Sequence, residues 1–129
     1  MEIIFKAVNQ GKTTEALALA AMNEGRTLFV STETPSAALS AHLMQFPIMG
    51  EVVTGLVSEP HEVQDAILAF ENTFGALDTI VLDVNFVVTH SKWFKLAQQL
   101  EEEGYYVVGT QNLVKSNGKT VHTPVIKLG

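Results

Sequence analysis

The chain has no cysteine and a single arginine, Arg26, among its 129 residues. Without cysteine it has neither a disulfide framework nor a thiolate metal site, which fits a reducing compartment. With one guanidinium group, it has almost no candidates for a site that surrounds a phosphate with several arginines. The formal net charge is −6 and the isoelectric point about 5.1. This composition argues against a surface that neutralises the many phosphates of duplex DNA.

Long hydrophobic runs are also missing from the sequence. No stretch approaches the roughly eighteen apolar residues that a membrane-spanning helix needs. The start of the chain, Met1 to Lys6, is too short and too acidic at its beginning for a signal peptide. We therefore expect a cytoplasmic protein with no membrane partner. Since 47% of the residues are hydrophobic, the chain can bury one sizeable core, and we expect a single domain over residues 1–129.

Strands and helices are predicted to alternate along the chain to about residue 112. Short apolar or β-branched runs predict strands at residues 2–6, 27–31, 51–57, 79–83 and 105–110. Helical spacing of apolar residues predicts helices over 13–24, 34–45, 60–70 and 91–104. The dipeptide Asn117-Gly118 predicts an antiparallel hairpin in the tail. We expect an α/β fold: a three-layer sandwich with a mostly parallel central sheet, helices on both faces and a C-terminal antiparallel hairpin.

The turn after the first strand is a candidate phosphate-binding loop. It is followed by an alanine-rich helix, whose N-terminal N–H groups and positive dipole end attract phosphate oxygens. In this loop Gly11 would let the backbone come close to the phosphates, and Lys12 would reach the β- and γ-phosphates. The Thr13 hydroxyl would be a ligand in the coordination shell of magnesium. The residues expected to bind a nucleoside triphosphate are Asn9, Gln10, Gly11, Lys12, Thr13 and Thr14.

The loop matches only half of the full P-loop pattern. That pattern, Gly-x-x-x-x-Gly-Lys-[Ser/Thr], places a glycine five residues before Gly11, where this chain has Lys6. The alternative interpretation is a chance tripeptide at a helix start. The strand before it and the helix after it favour the phosphate loop.

Three polar residues that follow predicted strands complete the candidate site. Asp83 ends the most hydrophobic strand, where a carboxylate faces the ligand crevice of a parallel sheet. It could hold magnesium there, or it could cap the next segment. Glu33 could polarise the water that attacks the γ-phosphate, or could be a charge at the start of a helix. Gln111 could bond the γ-phosphate and sense its presence, or be an ordinary polar strand end.

The four histidines are not predicted to bind metal. No two of them have metal-ligand spacing on one helix face. They are His42, His61, His90 and His122.

Together these motifs resemble the RecA-like core ATPases, the superfamily that includes recombinases and hexameric DnaB-type helicases. The match to the Walker A end lies in Gly11-Lys12-Thr13-Thr14, and Thr79-Ile80-Val81-Leu82-Asp83 matches Walker B. The segment Phe29 to Glu33 resembles the second strand with its catalytic glutamate, and Thr110-Gln111-Asn112 resembles the sensor glutamine before a DNA-contacting loop. The resemblance covers nearly the whole chain and implies ATP and Mg²⁺ as ligands.

The chain departs from the superfamily in one further respect. No arginine follows Arg26, so the finger that neighbouring subunits usually contribute in trans would have to be a lysine, such as Lys115, Lys119 or Lys127. A lysine is a poorer match for a bidentate phosphate contact. The resemblance therefore implies hydrolysis that is slow or depends on a partner, either a second copy or a larger ATPase.

Three function classes remain open from the sequence. The first is a Mg-ATP-dependent ATPase acting on nucleic acid or on a protein assembly. The second is a degenerate, non-hydrolysing module that docks onto a larger ATPase. The third, a small-molecule kinase, ranks last because such enzymes close an arginine-rich lid over the phosphates. Single-stranded nucleic acid is a candidate partner only through a mildly basic patch near Lys115 and Lys119, which could equally be a solvated hairpin.

Overall fold

The computed structural model of the protein describes residues 1–6, 11–84, 92–112, 114–116 and 119–121. The predictions for Asn9, Gln10, the Asn117-Gly118 turn and Lys127 fall outside these ranges. Within them, strands and helices alternate as predicted. The elements are β1 (Glu2–Lys6), α1 (Lys12–Met22), β2 (Arg26–Ser31), α2 (Ser36–Leu43), β3 (Glu51–Leu56), α3 (Pro60–Phe74), β4 (Thr79–Asp83), α4 (Lys92–Glu102), β5 (Tyr106–Asn112), β6 (Val114–Ser116) and β7 (Lys119–Val121).

The central sheet has five strands in the order β1-β5-β4-β2-β3, and every neighbouring pair is parallel. The prediction of an α/β fold with a parallel sheet is confirmed. All five residues of β4 are buried, because this strand lies in the middle of the sheet and is covered on both faces. Strand β5 lies between β1 and β4, so the strand before Gly11 and the strand that ends in Asp83 are separated by one strand.

Helices pack on both faces of the sheet. Helices α1 and α2 contribute one hydrophobic cluster, and α3 and α4 contribute the other. Consecutive strand residues enter opposite clusters, as the period of two requires: Ile80 belongs to the α3/α4 cluster and Val81 to the α1/α2 cluster. The same alternation determines which polar side chains at the strand ends face α1.

Short strands β6 and β7 pair antiparallel, with Val114 opposite Val121. The dipeptide on which the hairpin turn was predicted lies between them, outside the described residues.

The predicted bounds of α2 differ from those observed. The sequence predicts a helix over residues 34–45, whereas α2 covers Ser36–Leu43. Pro35 is the N-cap, with an extended backbone at φ −60° and ψ 150°, so the helix cannot include Thr34.

A polar cluster ties β2 to β4 at the amino edge of the sheet. The Asp78 carboxylate accepts hydrogen bonds from the Arg26 backbone N–H at 2.6 Å and from Asn23 Nδ2 at 2.9 Å. Burial alone would raise the pKa of Asp78, but the bonds from Thr79, Asn23 and Arg26 outweigh it and hold that pKa below its ordinary value. The charged form of Asp78 therefore stabilises this edge.

Helices α1 to α4 include none that could span a membrane. In the ranges that the structure covers, no helix is both long and apolar enough to do so.

Gly50 is predicted to be intolerant of any side chain. A Cβ there would lie 2.5 Å from the Asn23 carbonyl oxygen and still closer to that of Gly25. At Gly55 the nearest atom to an added Cβ is a Val30 methyl at 3.9 Å. We expect Gly50→Ala to lower the free energy of unfolding by about 1–3 kcal/mol in urea titrations, and the control Gly55→Ala to leave it nearly unchanged. Equal effects at the two positions would contradict this packing.

Candidate functional site

The candidate site lies at the carboxyl edge of the sheet, where β2, β4 and β5 end beside the first turn of α1. Ser31 at the end of β2 is paired with Asp83 at the end of β4. On the other side of β4, Leu82 pairs with Gly109, which brings Thr110 next to Asp83. All three polar side chains are buried and lie on the α1/α2 face by strand alternation.

The Asp83 carboxylate is the centre of this site. Its Oδ2 accepts a hydrogen bond from the Thr13 hydroxyl at 2.7 Å, and its Oδ1 accepts one from the Thr110 hydroxyl at 2.9 Å. Only 5% of Asp83 is exposed to solvent. The carboxylate therefore joins α1, β4 and β5 by two contacts, although the residues are 70 and 27 positions apart in the chain.

The first turn of α1 lies beside Asp83 through Thr13. Gly11 is the N-cap of α1 in a left-handed conformation, with φ 81° and ψ 30°, and no side chain of the described residues caps the helix. Helix N-termini leave their first N–H groups without intrahelical partners, and these groups and the helix dipole favour an anion. A side chain at position 11 would be strained at this φ, which explains the glycine.

Lys12 and Thr14 flank Thr13 on this turn. Lys12 is half-buried, and among the described residues its side chain forms no ion pair. The Thr14 hydroxyl lies 3.3 Å from His42 Nε2 on α2. The His42 ring in turn stacks on Phe46, with centroids 6.4 Å apart. Thr14 therefore contacts α2, whereas Thr13 contacts the sheet.

Glu33 follows β2 close to this edge. Its backbone N–H and that of Thr34 donate to Ser31 Oγ at 3.2 and 3.1 Å, and the Thr32 N–H donates to the Asp83 carbonyl at 3.4 Å. The Glu33 side chain is exposed. In the part of the chain that the structure covers, no hydrogen bond joins its carboxylate to Thr13 or Asp83.

Gln111 is buried at the end of β5, paired in register with Phe5 of β1. Strand alternation puts it on the opposite side of β5 from Thr110. The structure thus brings Thr13 and Asp83 together, places Glu33 near them through the backbone, and directs Gln111 to the α3/α4 face.

Thr110 is the residue that the sequence interpretation missed as a member of the site. The sequence indicates it only as the end of a strand and as the neighbour of the sensor-like Gln111. The signal that could have identified it is the adjacency of β4 and β5: once these strands are neighbours in register, Thr110 must lie beside Asp83.

The oxygen atoms of Thr13 and Asp83 suit a hard cation. The Thr13 hydroxyl has one proton, which it donates to Asp83, and its lone pairs remain available to a metal. Carboxylate and hydroxyl oxygens are ligands that Mg²⁺ accepts, and Mg²⁺ takes its other ligands from phosphates and water. Among the described residues no group of three or more His, Cys, Asp or Glu could hold a metal alone.

Comparison with models of known protein families and with curated proteins gives no match to this chain. The interpretation of the candidate site therefore rests on the geometry of its residues.

Asp83 and Asp78 are predicted to respond differently to loss of charge. Burying a carboxylate that has two hydroxyl donors costs desolvation energy, so Asp83→Asn should leave the free energy of unfolding unchanged or raise it by up to about 1 kcal/mol. Asp78 has a lowered pKa, so its charge contributes stability above the unfolded pKa of about 3.9, and Asp78→Asn should lower stability at pH 7. Urea titration of both variants measures the difference.

A marked loss of stability in Asp83→Asn would contradict this assignment. It would show that the carboxylate serves the fold rather than a ligand.

Proposed function

We propose that this protein is a Mg-ATP-binding ATPase with a RecA-like P-loop core. The observation that carries the proposal is the contact of Thr13 Oγ1 with Asp83 Oδ2 at 2.7 Å. It joins the end of the Gly-Lys-Thr segment to the buried carboxylate at the end of the central strand. A Gly-Lys-Thr sequence that occurs by chance at a helix start is not expected to contact that carboxylate.

The phosphates would lie against the first turn of α1. The N–H groups of this turn, the helix dipole and the half-buried Lys12 would attract the phosphates, while the left-handed Gly11 lets the backbone come close to them. Lys12 would bond the β- and γ-phosphates as a mobile cation.

Thr13 and Asp83 would hold the magnesium ion, which neutralises charge on the phosphates when bound. Thr110 would act as a positioning residue, because its hydroxyl fixes the second oxygen of the Asp83 carboxylate. That contact leaves Asp83 Oδ2 directed at Thr13.

Glu33 is proposed to accept a proton from the attacking water. It follows Ser31, which pairs with Asp83, and the Thr32 N–H bond to the Asp83 carbonyl keeps this loop at the same edge. Its exposed carboxylate has access to water. Gln111 lies on the opposite face of β5 from Thr110, away from α1, so no contact with the γ-phosphate is proposed for it.

A second candidate function is a nucleotide-binding module without hydrolysis that docks onto a larger ATPase. The exposed position of Glu33 favours it, because within the described residues no contact to Thr13 or Asp83 fixes its carboxylate for catalysis. The single arginine of the chain favours it too. Phosphate release stimulated by self-assembly or by single-stranded DNA would exclude this candidate.

Substitution of Lys12 and of Glu33 separates binding from turnover. A charge-assisted phosphate bond contributes about 1.5–3 kcal/mol, so Lys12→Ala should weaken ATP binding by about tenfold or more in isothermal titration calorimetry. The control Lys95→Ala removes an exposed lysine of α4, on the other face of the sheet, and should bind ATP like wild type.

Glu33→Gln should keep ATP affinity and lower the rate of phosphate release to about one hundredth, since a general base contributes at least that factor. Equal turnover in wild type and Glu33→Gln would contradict the role of Glu33. Failure of the wild type to bind Mg-ATP would contradict the proposed function as a whole.

A further inference from the structure

Thr14 carries a second hydroxyl on the first turn of α1, and this hydroxyl faces α2 rather than the sheet. Whereas Thr13 donates to Asp83, Thr14 Oγ1 lies 3.3 Å from a ring nitrogen of His42, Nε2. Among the described residues, the Thr14 hydroxyl and the His42 ring have each other as their hydrogen-bond partners. Both side chains are half-buried, so part of each remains accessible to a ligand beside this turn.

The His42 ring is fixed by the packing around it. It lies parallel to the Phe46 ring, with an interplanar angle of 6° and centroids 6.4 Å apart. Phe46 packs against the α1/α2 cluster, to which the helical neighbours of His42, Leu39 and Leu43, also belong. Packing that fixes a side chain also fixes the direction of its polar atoms, so Nε2 stays directed at Thr14.

The hydrogen bond between Thr14 and His42 can form in two ways, because a hydroxyl and a neutral imidazole can each donate or accept. With the proton on Nε2, the ring donates to Thr14 Oγ1 and leaves the Thr14 O–H for another acceptor. With Nε2 bare, the hydroxyl donates its proton to the ring and has none for a ligand. Phosphate oxygens accept hydrogen bonds, so a phosphate beside Thr14 would select the first form.

The segment around His42 has no carboxylate that would fix the proton in advance. Residues 34–50 contain no Asp or Glu, and no Lys or Arg. A carboxylate at one ring nitrogen usually decides which nitrogen carries the proton. Within this segment nothing opposes the form that a phosphate selects.

We propose that His42 is a positioning residue for the nucleotide, acting through Thr14. Its Nε2–H donates to Thr14 Oγ1 and directs the Thr14 O–H at a phosphate oxygen of the bound triphosphate. The two adjacent threonines of α1 thus have separate tasks: Thr13 serves the metal with Asp83, and Thr14 serves a phosphate with His42. This inference rests on the proposed function, since it requires a phosphate at the first turn of α1.

Two substitutions at position 42 separate the hydrogen-bond donor from the ring. His42→Phe keeps a flat ring beside Phe46 but has no N–H, so it should weaken Mg-ATP binding by about three- to tenfold in isothermal titration calorimetry. His42→Gln has a side-chain N–H₂ group at about the reach of Nε2 and should bind within about twofold of wild type. The control His61→Phe changes an exposed histidine of α3, on the other face of the sheet, and should bind like wild type.

A double-mutant cycle tests whether His42 acts through the Thr14 hydroxyl. Thr14→Val removes the hydroxyl and keeps the branched side chain, so it should weaken Mg-ATP binding by at least the same factor as His42→Phe. In the Thr14→Val background, His42→Phe should weaken binding by less than about twofold more, because its partner is already absent. Losses that multiply in the double variant would overturn the proposal.

The proton position can be measured in the wild-type protein, without any substitution. In ¹⁵N-labelled protein at about pH 8, where an imidazole is ordinarily neutral, the ring nitrogen resonances of His42 should show Nε2 protonated when Mg-ATP is bound. A bare Nε2 in the complex would overturn the proposal, whether or not the variants fold.

The outcomes separate the role of His42 from the function on which it rests. Wild-type protein that binds no Mg-ATP would contradict the proposed function and the role of His42 with it. Wild-type protein that binds Mg-ATP, with full affinity retained in folded His42→Phe, would overturn the role of His42 alone.

Discussion

The bridge from Thr13 through the Asp83 carboxylate to Thr110 is the contact on which the candidate site depends. It joins the first turn of α1 to the ends of β4 and β5 across a buried edge of the sheet. A carboxylate with 5% exposure is an unfavourable group to bury, and two hydroxyl donors satisfy only part of its capacity. In the proposed function, its remaining lone pairs and those of Thr13 are the ones that would bind a cation.

The sheet order explains why this bridge forms. Strand β5 lies between β1 and β4, so its end brings Thr110 beside Asp83. The first turn of α1 lies at the same edge of the sheet, where Thr13 contacts Asp83. The period of two along each strand then sorts the polar residues: Thr110, Asp83 and Ser31 face α1, and Gln111 faces the other helices. Position along the strand thus decides which side chain faces the first turn of α1.

Much of this arrangement could be predicted from local patterns. The apolar run of residues 79–83 and its final carboxylate were sufficient to predict a central strand and a polar side chain at its end, and the glycine, lysine and threonine at positions 11–13 predicted the helix start. Thr110 could not be predicted, because its role depends on which strands are neighbours. The exposure of Glu33 could not be predicted from local patterns either, because it follows from the path of the chain after Ser31.

The proposed site at the first turn of α1 and Asp83 is tested most directly by the affinity of the wild-type chain for ATP in Mg²⁺ and in EDTA. If Thr13 and Asp83 hold a metal that bridges to phosphate, Mg²⁺ should tighten binding by about tenfold or more, which corresponds to at least about 1.4 kcal/mol. The same affinity with and without Mg²⁺ would contradict the account.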